Sequence, residues 1–165
     1  MIRKLQTVPI HQVPTEEALE SREAQRPIML IVDDEVNVAD TLSLIMAQNG
    51  FAVLTAYDAH SAIEMATLVP PDVLLSEIAL PQITGLDLAI AVRRAAPNCK
   101  ILFLTRSGSA ANLLLDEARV MELDFVELTK PLHPVELLAK ARQNPGTEQR
   151  RSAPIPIRRE WHAQA

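Results

Sequence analysis

The sequence predicts an α/β fold in three layers, a doubly wound, five-stranded parallel sheet with helices on both faces. Three observations carry that expectation. From Ile28 onward, short apolar runs alternate five times with longer segments of helical period, the signature of repeated βα units. Residues are 48% hydrophobic but only 3% aromatic, so the core must be built from Leu, Ile, Val and Ala, which suits helices packed on a sheet. The turn and cap residues between the runs agree with the same alternation, and agreement between levels is itself evidence.

Arg26-Pro27 marks entry to the first strand, Ile28 to Val32, because proline holds the residue before it extended. The first helix, Val36 to Asn49, places Val38, Leu42 and Ile45 on one face and stops at Gly50, which suits a left-handed C-terminal cap. Strand two is Ala52 to Thr55. Asp58 can cap the helix Ala59 to Leu68, since its carboxylate accepts N–H groups of the opening turn. The third strand, Val73 to Ser76, is nearly all apolar, as a strand covered on both faces must be. Helix Gly85 to Ala95, strand Ile101 to Leu104, helix Ala110 to Met121 and strand Phe125 to Leu128 continue the pattern. The last helix, Pro134 to Gln143, follows His133, with Pro in its first position and Glu136 in its third.

One domain accounts for the length. A chain of 165 residues supports one full core with residues left for tails. Residues 1–26 read as an N-terminal tail with a short helix around Glu16 to Ala24, and residues 27–144 as the domain. Residues 145–165 form a Pro-containing basic tail with Arg150, Arg151, Arg158 and Arg159. The net charge of -5 argues against a domain whose main business is binding nucleic acid, leaving only that tail as a contact for an acidic partner. Cys99, alone, can form neither an internal disulfide nor a thiolate metal cage, and reads as a small apolar filler. The start, Met1-Ile2-Arg3-Lys4, lacks the apolar block of a secretory signal, and no run is long enough to span a bilayer. The expected location is the cytoplasm, with no membrane partner.

Ligands of open parallel sheets bind outside the carboxyl ends of the strands, where the strand order reverses. Asp33 and Asp34 follow strand one, Glu77 and Thr105 stand at the ends of strands three and four, and Lys130 follows strand five. All five share one edge. Clustered carboxylates repel one another unless a hard cation compensates, and oxygen ligands of this kind suit Mg²⁺. A lysine ammonium and a threonine hydroxyl can then hold phosphoryl oxygens. Singly these signals are weak, because an acid pair after a strand is as often a helix N-cap and Lys130-Pro131 alone reads as a loop. Their ordered combination is far more specific.

Over Pro27 to Asn144 the chain resembles the receiver domain of bacterial two-component response regulators. The resemblance rests on Ile31-Val32-Asp33-Asp34-Glu35, on Pro71-Asp72-Val73-Leu74-Leu75 leading to Leu80-Pro81 and Gly85, on Thr105, and on Thr129-Lys130-Pro131. It implies the flavodoxin-like strand order 2-1-3-4-5 and a role in phosphorelay signalling, in which an aspartate after strand three takes a phosphoryl group from a sensor histidine kinase. By position, Asp33 and Asp34 resemble the metal-binding acid pair, the Ala79 carbonyl a backbone metal ligand, Thr105 the switch hydroxyl and Lys130 the phosphate-binding lysine. Glu77 stands at the phospho-acceptor position and counts with the acids as a ligand for Mg²⁺.

The departures are as informative as the matches. The family aspartate lies four residues before the proline matching Pro81, and here that residue is Glu77. Its added methylene pushes the carboxylate toward the place of a phosphoryl oxygen, and a misplacement of about an ångström can cost ~100-fold in rate. The residue after the switch threonine is usually small, and here it is Arg106. Its guanidinium either reaches the acid cluster, bringing the positive charge that Mg²⁺ would supply, or extends into solvent. Glu127 stands where the family often has Tyr or Phe, and Phe125 replaces that ring only if the strand register slips by two.

The expected function is therefore a stand-alone, atypical receiver, or pseudo-receiver, that acts on a downstream protein through its fourth and fifth helical elements. The length leaves no room for a DNA-binding output domain. A conventional receiver phosphorylated on Glu77 is one alternative, and a small phosphate-handling enzyme on the same fold is another. Against an enzyme stands the lack of a Gly-rich phosphate loop, of a nucleophilic Cys or Ser arrangement and of a second general acid.

Overall fold

Strands and helices alternate through residues 26–143, which the computed structural model describes. In chain order they are β1 (Ile28–Val32), α1 (Val36–Gln48), β2 (Ala52–Ala56), α2 (Ala59–Leu68), β3 (Val73–Glu77), α3 (Gly85–Ala95), β4 (Lys100–Thr105), α4 (Ser109–Val120), β5 (Phe125–Thr129) and α5 (Pro134–Arg142). The helix expected around Glu16 to Ala24 and the basic tail lie outside the described residues.

The five strands form one parallel sheet in the order β2-β1-β3-β4-β5. Strand order and fold class agree with the sequence expectation, and the boundaries move by a residue. Strands β2, β3 and β5 each run one residue further than expected, and β4 gains Lys100 and Thr105. Glu77 and Thr105 are thus ladder residues themselves, held by backbone pairing rather than by a loop.

Burial follows strand position. The inner strands β3 and β4 are buried at every residue, whereas the edge strands β2 and β5 are mostly part-exposed. Alternate residues point to opposite faces, so each inner strand feeds two cores. Leu30, Leu74 and Phe103 pack with α2, α3 and α4, while Met29, Leu75 and Leu102 pack with Met46 of α1 and Leu137 of α5. Phe103 meets Phe125 with ring centroids 5.2 Å apart. The buried stripe of α1 centres on Ala39 and Met46, and the expected face of Val38, Leu42 and Ile45 flanks it, half-buried.

The cap residues behave as their chemistry requires. Gly50 sits at φ +95°, in the left-handed region after α1. Asp58 accepts the Ser61 N–H at 2.8 Å, which holds its carboxyl below the usual range, and His133 Nδ1 accepts the Val135 N–H at 3.3 Å. At the far end of α5, the nearly buried Lys100 ammonium donates to the carbonyls of Lys140 and Gln143, and Arg142 donates to the Asn49 carbonyl at 2.9 Å. Burial pushes the Cys99 thiol up to about 12, so it fills space as an inert group. No helix among the described residues is long and apolar enough to cross a membrane.

Gly85 connects the fold to the sheet edge. Its N–H donates to the Ile78 carbonyl at 2.8 Å, and a Cβ there would lie 2.3 Å from the Glu77 carbonyl oxygen and 2.7 Å from Ile78 Cα. Backbone cannot yield as a side-chain end can. Gly85→Ala is therefore expected to lower stability by about 3 kcal/mol, read from urea unfolding. An unchanged midpoint would contradict this close approach.

Candidate functional site

Parallel register brings the carboxyl ends of four strands together. Val32 pairs with Ser76, Glu77 with Leu104 and Thr105 with Thr129, so Asp33 and Lys130 each lie one residue beyond paired strand ends. The Lys130 ammonium lies 2.6 Å from Asp33 Oδ2 and 3.0 Å from Glu77 Oε2. Asp33 is wholly buried and Glu77 is 3% exposed. The second oxygen of Asp33 accepts the Glu35 N–H at 2.9 Å, so both its oxygens are engaged. Glu77 Oε1 accepts the Ala79 N–H at 3.3 Å, whereas Oε2 makes no aligned hydrogen bond and meets Lys130 as an ion pair only. Buried carboxylates without a partner cost several kcal/mol each. Lys130 holds both.

Beside this triad an open cleft of about 200 Å³ is lined by Asp34, Glu77, Ala79, Arg106, Ser107 and Ala111, among others. Asp34 is exposed at its rim, and Thr105 is buried at the end of β4, its carbonyl accepting the Lys130 N–H at 2.8 Å. Arg106 takes both courses that the sequence left open. Its side chain is 56% exposed, yet Nε lies 3.9 Å from Glu77 Oε2 and Nη2 contacts Glu35 Oε1. Glu35 is the residue that sequence reasoning missed. Its only signal was a third acid beside Asp33-Asp34, with nothing local to indicate a partner in the β4–α4 loop.

The resemblance implies Mg²⁺, which takes oxygen ligands in near-ideal octahedral geometry and keeps several waters. Oxygen donors of the right kind line the cleft, namely Asp34, Glu77 and Ala79. Their arrangement does not fit a resident ion. Asp33 is committed to Lys130 and the Glu35 N–H, and Glu77 faces two side-chain cations. Among the described residues no three acidic, histidine or cysteine side chains converge to hold a metal.

The register also settles the neighbours of Glu127 on β5. Glu127 stays opposite Phe103 and Phe125 opposite Ile101, so no slip by two brings an aromatic ring to the place of Glu127. Its carboxylate instead takes Arg119 Nη2 at 3.1 Å. Arg119 also reaches Asp116 at 2.7 Å and lies 5.9 Å over the Phe125 ring, tying α4 to β5.

Known proteins share this fold. The sequence profile of the response regulator receiver domain matches residues 29–142. The transcriptional regulatory protein CreB of Escherichia coli is 31% identical over 138 residues, which are 84% of this chain and 59% of that protein. DltR of Streptococcus agalactiae, another transcriptional regulatory protein, is 31% identical over 69% of this chain and 50% of its own length. The chain thus spans about half the length of the curated relatives it matches. Among solved structures, the chemotaxis protein CheY4 of Vibrio cholerae superposes with a TM-score of 0.64 at 26% identity, covering 72% of this chain and 98% of that one. The signal receiver domain of an HD domain-containing protein from Pseudomonas fluorescens gives 0.66 at 26% identity, over 78% and 100%. With its five-stranded fold and its sheet-edge Asp33, Thr105 and Lys130 in place, this chain belongs to the response regulator receiver domain family.

Proposed function

We propose that this chain is an atypical receiver, acting in two-component signalling in the cytoplasm through protein contact rather than by turnover of a phosphoryl group at Glu77. The observation that carries this reading is the position of the Glu77 carboxylate. It lies between Lys130 at 3.0 Å and Arg106 at 3.9 Å, where cations would hold the oxygens of an incoming phosphoryl group. A nucleophilic oxygen must be free to approach phosphorus in line, and this one is already paired. One carboxylate charge stands in, partly, for the nearly two of a phosphoryl group. The site then holds one state.

A fixed state is read by whatever binds its surface. Helix α4 exposes Leu113 and Val120, Met121 follows it, and α5 exposes Val135, which supports a contact face on the fourth and fifth helices. The partner is a sensor histidine kinase or a downstream protein. Residues 27–144 form the signalling unit.

The intact acid, threonine and lysine framework favours one rival, a conventional receiver that accepts phosphate on Glu77. Incubation with acetyl phosphate and MgCl₂, followed by intact mass measurement, separates the two. No species heavier by about 80 Da (one phosphoryl group) is expected. Its accumulation, lost in Glu77→Gln, would establish the conventional receiver instead.

Lys130 gives a second test, because its removal leaves two buried carboxylates without their shared cation. Lys130→Met should lower stability by about 3–5 kcal/mol, measured by chemical denaturation. A loss under about 1 kcal/mol, the scale of an exposed ion pair, would show that Asp33 and Glu77 are balanced by something else.

A further inference from the structure

We propose that the Arg106 guanidinium is the resident cation of the sheet-edge cleft and that it keeps divalent metal ions out. The inference deepens the atypical reading and rests on it in one respect, that Glu77 remains an unmodified carboxylate. Three observations support it.

The first is shared space. The donors that would hold a hard cation, Asp34, Glu77 and Ala79, line the same cleft of about 200 Å³ as Arg106. A metal ion there must displace the guanidinium or sit against it. The second is charge. Asp33 and Glu77 are two buried carboxylates, and Lys130 supplies one positive charge within 3.0 Å of both. Arg106 supplies the other from the solvent side, 3.9 Å from Glu77 Oε2. With Asp33 and Glu77 both facing cations, and the Arg106 charge shared between Glu77 and Glu35, the exposed Asp34 is left as the one uncommitted carboxylate lining the cleft among the described residues.

The third is anchoring. An exposed arginine alone would wander, but Glu35 contacts its Nη2 from the β1–α1 loop. The guanidinium therefore bridges the β1–α1 and β4–α4 loops across the mouth of the cleft. Arginine suits the task, since its planar fork serves two carboxylates at once and does not lose its charge. A cation entering this cleft meets a like charge at close range and gains fewer carboxylates than its coordination needs.

The test is a titration of the full ¹⁵N-labelled chain with MgCl₂ at constant ionic strength, following backbone amides of Asp34, Ala79 and Ser107. The wild-type chain should show no saturable shift below about 20 mM Mg²⁺. Arg106→Ala and Arg106→Gln should each saturate, with affinity raised by about 10- to 100-fold, the scale of removing one nearby like charge. Arg106 is more than half exposed, so both variants should keep the wild-type spectrum elsewhere. Saturation of the wild-type chain in the low millimolar range (about 1 mM) would overturn the proposal. So would two Arg106 variants that bind no better than wild type. No phosphoryl donor is present in this titration, so its result is read separately from the mass measurement on Glu77.

Discussion

Two carboxylates are buried side by side at the carboxyl edge of the sheet, and one ammonium group holds them both. Asp33 is placed by β1, Glu77 by β3 and Lys130 by β5, so this triad exists only when three ladders are in register. A slip of one residue in any of them would turn the side chain to the opposite face. Gly85 adds a further condition, since only the lack of a Cβ lets α3 start against the Glu77 carbonyl. Packing and charge are therefore not separate here. The inner strands must be apolar on both faces to bury the sheet, and that burial makes an unpaired carboxylate at its edge so costly.

Glu77, Arg106 and Glu127 each take part in an ion pair. At Glu77 the longer side chain carries its carboxylate toward Lys130, and Arg106 covers the open side while Glu35 anchors it. At Glu127 an ion pair with Arg119 joins β5 to α4. Each of these positions carries a charge pair within the domain. The exposed pairs are individually weak, worth about 0–1 kcal/mol. The buried triad is the exception, because both its carboxylates are shielded from water.

Much of this was legible in the sequence because its signals are local. Hydrophobic period distinguished strands from helices, Gly50, Asp58 and Pro134 marked helix ends through their own chemistry, and the strand-end rule gathered Asp33, Asp34, Glu77, Thr105 and Lys130 on one edge. What escaped was long-range or directional. The contact of Glu35 with Arg106 depends on how two loops face each other, and nothing near either residue announces it. The tie from Arg119 to Glu127 needs both the β4–β5 register and the rotation of α4. Its position in the resemblance marked Asp33 as a metal ligand, whereas only the fold shows both its oxygens engaged by Lys130 and the Glu35 N–H.

The most direct test of this charge arrangement is a crystal structure of the chain grown in about 0.1 M MgCl₂, far above the affinity of an ordinary Mg²⁺ site. The account predicts Lys130 Nζ within hydrogen-bond reach of Asp33 and in ion contact with Glu77, with the Arg106 guanidinium in the cleft against Glu35. An octahedral ion bound by Asp34, Glu77 and the Ala79 carbonyl, with Arg106 turned out to solvent, would contradict it.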